Sequence, residues 1–349
     1  MDRGVPHTME PAEVSIVAAT CCFPQQYCAV RDLFDEEGVS FNSEAVSGLG
    51  IQGVHVCRGE TGSTLALAAA QHAIHRAGLA PSDVNVIIDY SILPQEYLAP
   101  AWNMSNKLQH ALSTKKAFTL GFSGGGATNF HVALTFAAAL IRSDDAVKTA
   151  LLVAADTAIP GNRILPQDEP FTVLGDGASA VVVQRGPGGS VVLDTELWSN
   201  GALHDVCYIP GGAMACPDPP GLYRMEFSRE KYVAACPMGV LRRLAGIVLD
   251  RAGLRLADVA YFLCPNISTA DQTEFMYTFG VRKDQLCLTN LEGHGHIQAT
   301  DLVLNYLFLL ETGKLHDGDL ILACSHGMGF LSGVSLLRCS IPAGGARGE

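Results

Sequence analysis

The chain has 349 residues, 48% of them hydrophobic and only 17% charged, with a formal net charge of −12. That much apolar material fills two ordinary domains or one large duplicated one, and it excludes a disordered chain. The acidic balance disfavours nonspecific grip on nucleic acid or on anionic lipid, so neither a nucleic acid nor a membrane is expected as a partner. The eleven cysteines sit in apolar contexts without a CxxC pair, which reads as reduced thiols. No Cys/His cluster has metal-ligand spacing, so no metal is expected. The opening stretch MDRGVPHTMEPAE lacks the apolar core of a signal peptide, and no apolar run is counted as long enough to span a bilayer. A soluble cytoplasmic protein is expected.

Along the chain, residues 62–78 (GSTLALAAAQHAIHRAG) repeat apolar residues at helical spacing, and Gly78 ends the run. The apolar stretch Val84–Asp89 follows as a buried strand. Ala117–Gly121 reads as a strand, Phe122–Gly126 as a glycine loop, Ala127–Ile141 as a helix and Ala150–Ala155 as a strand. A second helix-to-strand unit occupies Met238–Leu263. Leu286–Thr289 then reads as a strand, Leu291–His296 as a loop, Thr300–Leu310 as a helix and Leu320–Ala323 as a strand. Each half closes with a further strand, Gly177–Val183 and Gly333–Cys339.

The order of elements therefore occurs twice. Arg76-Ala77-Gly78-Leu79 leads to Asp83-Val84, and Arg251-Ala252-Gly253-Leu254 leads to Asp258-Val259 with the same spacing. The helices after the two glycine loops open alike, as Ala127-Thr128-Asn129 and Ala299-Thr300-Asp301. A repeated order is far more specific than any one match. It implies largely parallel sheets covered by helices, divided as 1–190 and 191–349, with a site where loops after equivalent strands meet.

Three constellations carry chemistry. Gly121-Phe122-Ser123-Gly124-Gly125-Gly126 places a hydroxyl between a strand and a helix, where glycines allow close backbone approach and helix N–H groups face an oxyanion. A helix-capping Ser is the plainer alternative. Gly293-His294-Gly295-His296 is followed by Asp301, and a carboxylate can fix the tautomer of an imidazole and stabilise its charge. A His294/His296 metal pair is conceivable but has no further ligand nearby. Asn266, after the strand Val259–Leu263, could donate to a substrate carbonyl or simply form a turn. The run His326-Gly327-Met328-Gly329-Phe330 lets the chain pass close to such a site. In Gly175-Asp176-Gly177, a turn with a structural Asp is the plainest account.

Taken together these motifs resemble the β-ketoacyl-ACP synthase III family of the thiolase superfamily over nearly the whole chain. Leu174-Gly175-Asp176-Gly177-Ala178 is similar to the family's FGDGA, and Ser325–Phe330 (SHGMGF) to its AFGGGF. Residues 295–301 (GHIQATD) fall where the family has GNTSAAS, and Pro265-Asn266 where it has the PH of PHQAN. The resemblance implies the five-layered αβαβα thiolase fold, a homodimer, no cofactor, and an acyl thioester donor on coenzyme A or an acyl carrier protein.

The departures direct the functional reading. No Cys lies between Cys57 and Cys207, so the family's nucleophile is missing and Ser123 takes the role. The family's His is replaced by Asn266 and its Asn by His296, while Asp301 is added beside it. Serine needs a base where a low-pKa thiol does not, so Ser123, His296 and Asp301 form a self-consistent catalytic set. Asn266 and backbone N–H groups near Gly124 and Gly329 would hold the oxyanion. The family's Trp and Arg that clamp coenzyme A fall on Glu44 and Gly48, which favours a carrier-protein donor. The expectation is acyl transfer in specialised, polyketide-type (antibiotic) biosynthesis through an acyl-Ser. A starter-unit condensation with malonyl-ACP is the alternative, and a non-catalytic partner of a condensing heterodimer the third reading. Pocket depth would be set by loops at 92–105 and 196–224.

Overall fold

The structure is a computed structural model and describes residues 12–93, 96–97, 102–167, 169–211 and 223–340. Most of the N-terminal stretch read above, and parts of both pocket-shaping loops, lie outside the described residues.

Nine strands are hydrogen-bonded edge to edge. In chain order they are β1 (Val14–Cys22), β2 (Val86–Asp89), β3 (Phe118–Gly121), β4 (Thr149–Asp156), β5 (Gly177–Arg185), β6 (Gly189–Ser199), β7 (Val259–Leu263), β8 (Leu320–Gly327) and β9 (Leu331–Ser340). The spatial order is β7-β8-β9-β6-β1-β5-β4-β2-β3. The contact between β1 and β6 joins only Ser15 to Val191 and Ile16 to Ser190, so it is a seam between two sheets. On one side β2 runs parallel to β3 and β4, with β5 and then β1 antiparallel beyond. On the other β7 runs parallel to β8, with β9 and then β6 antiparallel beyond. Leu286 bridges Phe262 in parallel where β3 flanks β2 in the first sheet. The two sheets thus repeat one order. The boundary expected at residue 190 falls just inside β6.

Five principal helices cover the sheets: α1 (Gly62–Arg76), α2 (Asn129–Ser143), α3 (Pro237–Arg251), α4 (Thr269–Phe279) and α5 (Asp301–Glu311). Thr61 caps α1 by accepting from the Thr64 N–H, and Gly78 leaves the helix at φ +67°. The central helices α2 and α5 are apolar nearly all round and lie between the sheets, with Leu134, Ile141, Leu302 and Leu309 in one cluster with Val86, Leu152, Val183 and Ile321. Helix α1 packs on the outer face of the first sheet against Ile87, Leu151 and Val182. Helices α3 and α4 pack on the outer face of the second against Phe262, Leu322 and Leu336. The layers run αβαβα, the thiolase fold expected from the motifs.

Two expectations change. Leu286–Thr289 makes one bridge rather than a strand, and Thr289–His294 is a short helix, so most of the second glycine loop is helical. The stretch Arg229–Arg251 is long and apolar enough by composition to cross a membrane, which the count of apolar runs missed. Cys236, at φ +47°, breaks it before Pro237, and α3 buries Met238, Leu241, Leu244 and Val248 in the core. No disulfide joins any of the ten described cysteines to another.

Candidate active site

The two glycine-rich loops clasp each other reciprocally. After β3, a 3-10 turn at Gly126–Thr128 leads into α2, and after His296 a second one at Gln298–Thr300 leads into α5. The two turns pack together. Thr128 donates its hydroxyl to the carbonyl of Leu331, at 3.0 Å, and Ser325 donates to that of Ala127, at 3.1 Å. In the opposite sense Ala299 N–H donates to Asp156 at the end of β4, at 3.1 Å, and Thr300 bonds Ser179 of β5. Burial pushes the Asp156 carboxyl up to about 6, although three backbone N–H groups bind it.

His296 and Asp301 meet in this junction. Nδ1 of His296 lies 2.6 Å from Oδ2 of Asp301, with the imidazole 13% exposed and the carboxylate fully buried. The Asn266 N–H donates to the same oxygen and the Ile297 N–H to the other, both at 2.7 Å. Three donors therefore fix the carboxylate, which orients the ring with Nδ1 as donor and leaves Nε2 as the free acceptor of a neutral imidazole. The loop is pinned from the first half as well, since His296 N–H donates to Val173 and Gly175 N–H to His296. A side chain at Gly175 would overlap the carbonyl oxygen of His294, which explains that glycine. Gln298, at φ +50°, takes the left-handed conformation that turns the chain from His296 into α5.

The other expected residues are placed differently. The Asn266 side chain is fully buried and turned to Asn305, which donates to its Oδ1 at 3.0 Å and is itself bonded by Asn290. Its direct contribution to the dyad is its backbone N–H. Ser123 is exposed and lines a cleft of about 450 Å³ with Gly124, Asn129, Asn200, Gly329 and Phe330. No hydrogen bond joins Ser123 to His296 among the described residues. Gly124 (φ +92°) and Gly329 (φ +122°) both line this cleft, with the Gly124 carbonyl oxygen beside Gly329. Thr128, the other hydroxyl of the loop, is fully buried and committed to backbone carbonyls.

His294 leaves the site. Its ring packs in a cluster with Phe23, at 4.5 Å, and His55, at 5.4 Å, which also touch each other, and burial holds its imidazole down at about 4. It lines a larger hollow of about 810 Å³ with His72, His75 and Arg76, which none of Ser123, His296, Asp301 or Asn266 borders. Among the described residues no three potential ligands gather around a metal position. Asp176 is the buried structural acid expected: Arg163 grips it with two nitrogens at 3.1 Å, and the N–H groups of Cys57 and Ala158 donate to it at 2.8 Å.

Sequence reasoning missed a second set beside the dyad. The hydroxyl of Tyr232 lies 3.0 Å from Nε2 of His326 and 3.5 Å from Oδ1 of Asp271. His326 and Asp271 both lie close enough to His296 for their charges to act on one another. Burial pushes the Asp271 carboxyl up to about 7, with Glu274 adding to it and His296 opposing. Burial first, and then His296, holds the His326 imidazole down at about 4. A histidine inside the glycine run 326–330 was the one available signal. Tyr232 and Asp271 had none, because three distant segments supply the set.

Two sheets of one repeated order around a pair of central helices, with the candidate site at the loops that close on α2 and α5, define a thiolase-superfamily protein. The family model for 3-oxoacyl-[acyl-carrier-protein (ACP)] synthase III matches residues 125–201, and that for its C-terminal part matches residues 249–339. The β-ketoacyl-[acyl-carrier-protein] synthase III of Cereibacter sphaeroides is 30% identical over 297 residues, covering 83% of this chain and 88% of that one. That of Aquifex aeolicus is 26% identical over 290 residues, with the same coverage. The chain belongs to the β-ketoacyl-ACP synthase III family. Among solved structures, the priming β-ketosynthase of the R1128 polyketide pathway superposes with a TM-score of 0.81 at 19% identity, covering 97% of this chain and all of that one. The acyltransferase ChlB3 superposes with a TM-score of 0.80 at 23% identity, covering 95% and 99%. Both likenesses concern the fold.

Proposed function

We propose that this protein moves an acyl group from a thioester to a nucleophilic acceptor, with His296 as the base, Asp301 as its holder and Ser123 as the residue that carries the acyl group. The observation that carries this reading is the 2.6 Å contact between His296 and a buried carboxylate fixed by two further donors. A dyad so arranged suits a hydroxyl nucleophile, which is inert without a base. Ser123 is the uncommitted hydroxyl of the loop, because Thr128 is tied to backbone.

In the first half-reaction His296 Nε2 takes the Ser123 proton as Oγ attacks the thioester carbonyl. The C–S bond breaks and His296 returns the proton to the departing thiolate. In the second half-reaction the acceptor loses its proton to His296 and attacks the acyl-Ser, the C–O bond to Ser123 breaks, and His296 passes the proton to the departing Oγ. Ser123 is exposed in its cleft, and a Cβ at Gly124 beside it would meet nothing within 4 Å, which leaves room for the movement that would bring Ser123 to the base. Backbone N–H groups near Gly124 and Gly329, which both line the cleft, would hold the oxyanion. Glu44 is exposed where the family holds coenzyme A, so a carrier-protein thioester is the preferred donor. The polyketide setting of the R1128 priming enzyme is extended to this chain as part of the proposal.

Among the described residues Ser123 makes no hydrogen bond to His296 and lines a cleft that His296 does not border, which favours a second reading, in which the dyad deprotonates the acceptor and transfer is direct. Intact-mass spectra after incubation with acyl thioesters separate the two: an adduct that vanishes in Ser123→Ala supports the first, and turnover without adduct the second. Labelled carbon dioxide released from malonyl-ACP would instead make the enzyme a condensing one. A protein inert alone and active only with a second synthase subunit would be a structural partner.

A further inference from the structure

We propose that the hollow of about 810 Å³ between α1 and α5 is a second ligand site, which takes a carboxylate carried on an apolar body and holds the carboxylate on the Arg76 guanidinium. None of Ser123, His296, Asp301 or Asn266 borders it, so this ligand sits apart from the site of the proposed acyl transfer.

The hollow opens where the two sheets part. β1 and β6 pair only at Ser15 and Ile16, while Thr20 and Cys21, further along β1, already line the hollow. Phe23, Leu304, Leu307 and Phe308 give it apolar walls. Thr20 and Asn290 spend their donors inside the protein, on the carbonyl of Ala69 and on Leu304 and Asn305. Arg76 and Glu311, both about half exposed, form an ion pair on its lining. A cavity of this size with apolar walls and a few placed polar groups is the usual form of a small-molecule site.

The repeat shows what Arg76 lacks. Arg251 holds the equivalent place at the end of α3, in the same Arg-Ala-Gly-Leu run. It donates to the carbonyl of Thr195 on β6, as Arg76 donates to that of Ala19 on β1. The residues flanking Thr195 are Asp194 and Glu196, and both carboxylates bind Arg251, at 2.7 and 2.8 Å. The residues flanking Ala19 are Ala18 and Thr20, which bring no charge. Arg76 has Glu311 alone, at 3.2 Å, through the same terminal nitrogen that binds Ala19. Its Nε and its other terminal nitrogen bind no described residue, and these two make the fork that fits a carboxylate. Glu311 is a weak competitor, because a half-exposed ion pair gains little over water. The second half thus fills its guanidinium with two acids of its own strand, and the first half keeps a free fork beside an apolar hollow.

The test is calorimetric titration of the full-length protein with sodium octanoate, and with octanol as its uncharged match. Octanoate is expected to bind at millimolar concentration or below, and octanol roughly tenfold more weakly. Arg76→Gln should weaken octanoate binding roughly tenfold, through loss of the charge-assisted fork. Glu311→Gln should tighten it about threefold, because the resident acid no longer competes. Ser123→Ala and His296→Ala should bind octanoate as the wild type does. Octanoate that binds Arg76→Gln as well as the wild type, or octanol that binds as well as octanoate, overturns the site by showing apolar contact alone. Glu311→Gln reads the site even if Arg76→Gln fails to fold, and binding that is unchanged or weaker in Glu311→Gln also overturns it. Binding lost in His296→Ala would put the acid in the transfer site and overturn the proposal, as would a wild-type protein that takes up no octanoate at millimolar concentration.

Discussion

Asp301 accepts three hydrogen bonds, from His296, Asn266 and Ile297, and no neutral side chain of its size can accept all three. In Asp301→Asn the amide must face one of these donors with its own NH₂ group, so the ring of His296 loses either its tautomer or its place. Acyl transfer is expected to fall by about 10²–10⁴-fold in single-turnover kinetics. The same scale gives a pH dependence. Burial raises the Asp271 carboxyl from 3.8 to about 7, so in this range the folded state holds a proton that the unfolded chain has lost. The stability due to that proton is complete below about pH 4 and disappears as the pH climbs through 7. Melting curves should therefore show the Tm of Asp271→Asn gaining on the wild type between pH 4 and 7 and holding a constant difference above pH 8. A difference that stays flat from pH 4 to 8 would mean that Asp271 ionises normally.

At the scale of elements, the site is a seam between two loops, and its glycines do unequal work. A Cβ at Gly327 would overlap the carbonyl oxygen of Gly125, and because backbone lies on both sides nothing can rotate away. Gly327→Ala should cost about 1–3 kcal/mol in urea unfolding and remove activity with it, since the two turns must part. Gly293 meets nothing within 4 Å and sits inside the helix Thr289–His294. Gly293→Ala should leave activity in place and add about 0.5–1 kcal/mol. The sequence pattern made these two glycines look alike, as members of glycine-rich runs. What separates them is a close approach between residues some 200 positions apart, which no local pattern carries. The dyad was legible because a carboxylate five residues after a histidine at a helix start has few geometries open to it. Asn266 was misjudged in direction, because its partner Asn305 is buried one turn inside α5. The Tyr232–His326–Asp271 set was invisible for the same reason as the Gly327 contact.

For the whole molecule, the repeated order of elements was enough to foresee two sheets of one plan whose loops meet. It did not fix how far Ser123 would stand from His296, because that depends on how the glycine loop settles against residues 199–201 and 329–331. Asp176 shows how the frame around the site is held: Arg163, Cys57 and Ala158 all converge on it from separate segments. Asp176→Ala leaves a buried guanidinium unpaired and should cost about 3–5 kcal/mol in denaturant unfolding. A loss below 1 kcal/mol would show that solvent reaches Arg163. The proposed function places an acyl group on the Ser123 loop, so the most direct measurement is peptide-level mass mapping after exposure to a panel of acyl carrier-protein thioesters. The account predicts one acyl adduct on the peptide containing Ser123, formed slowly or not at all in His296→Ala and absent in Ser123→Ala. An adduct that persists in Ser123→Ala, or acyl transfer at full rate by that variant, would contradict it.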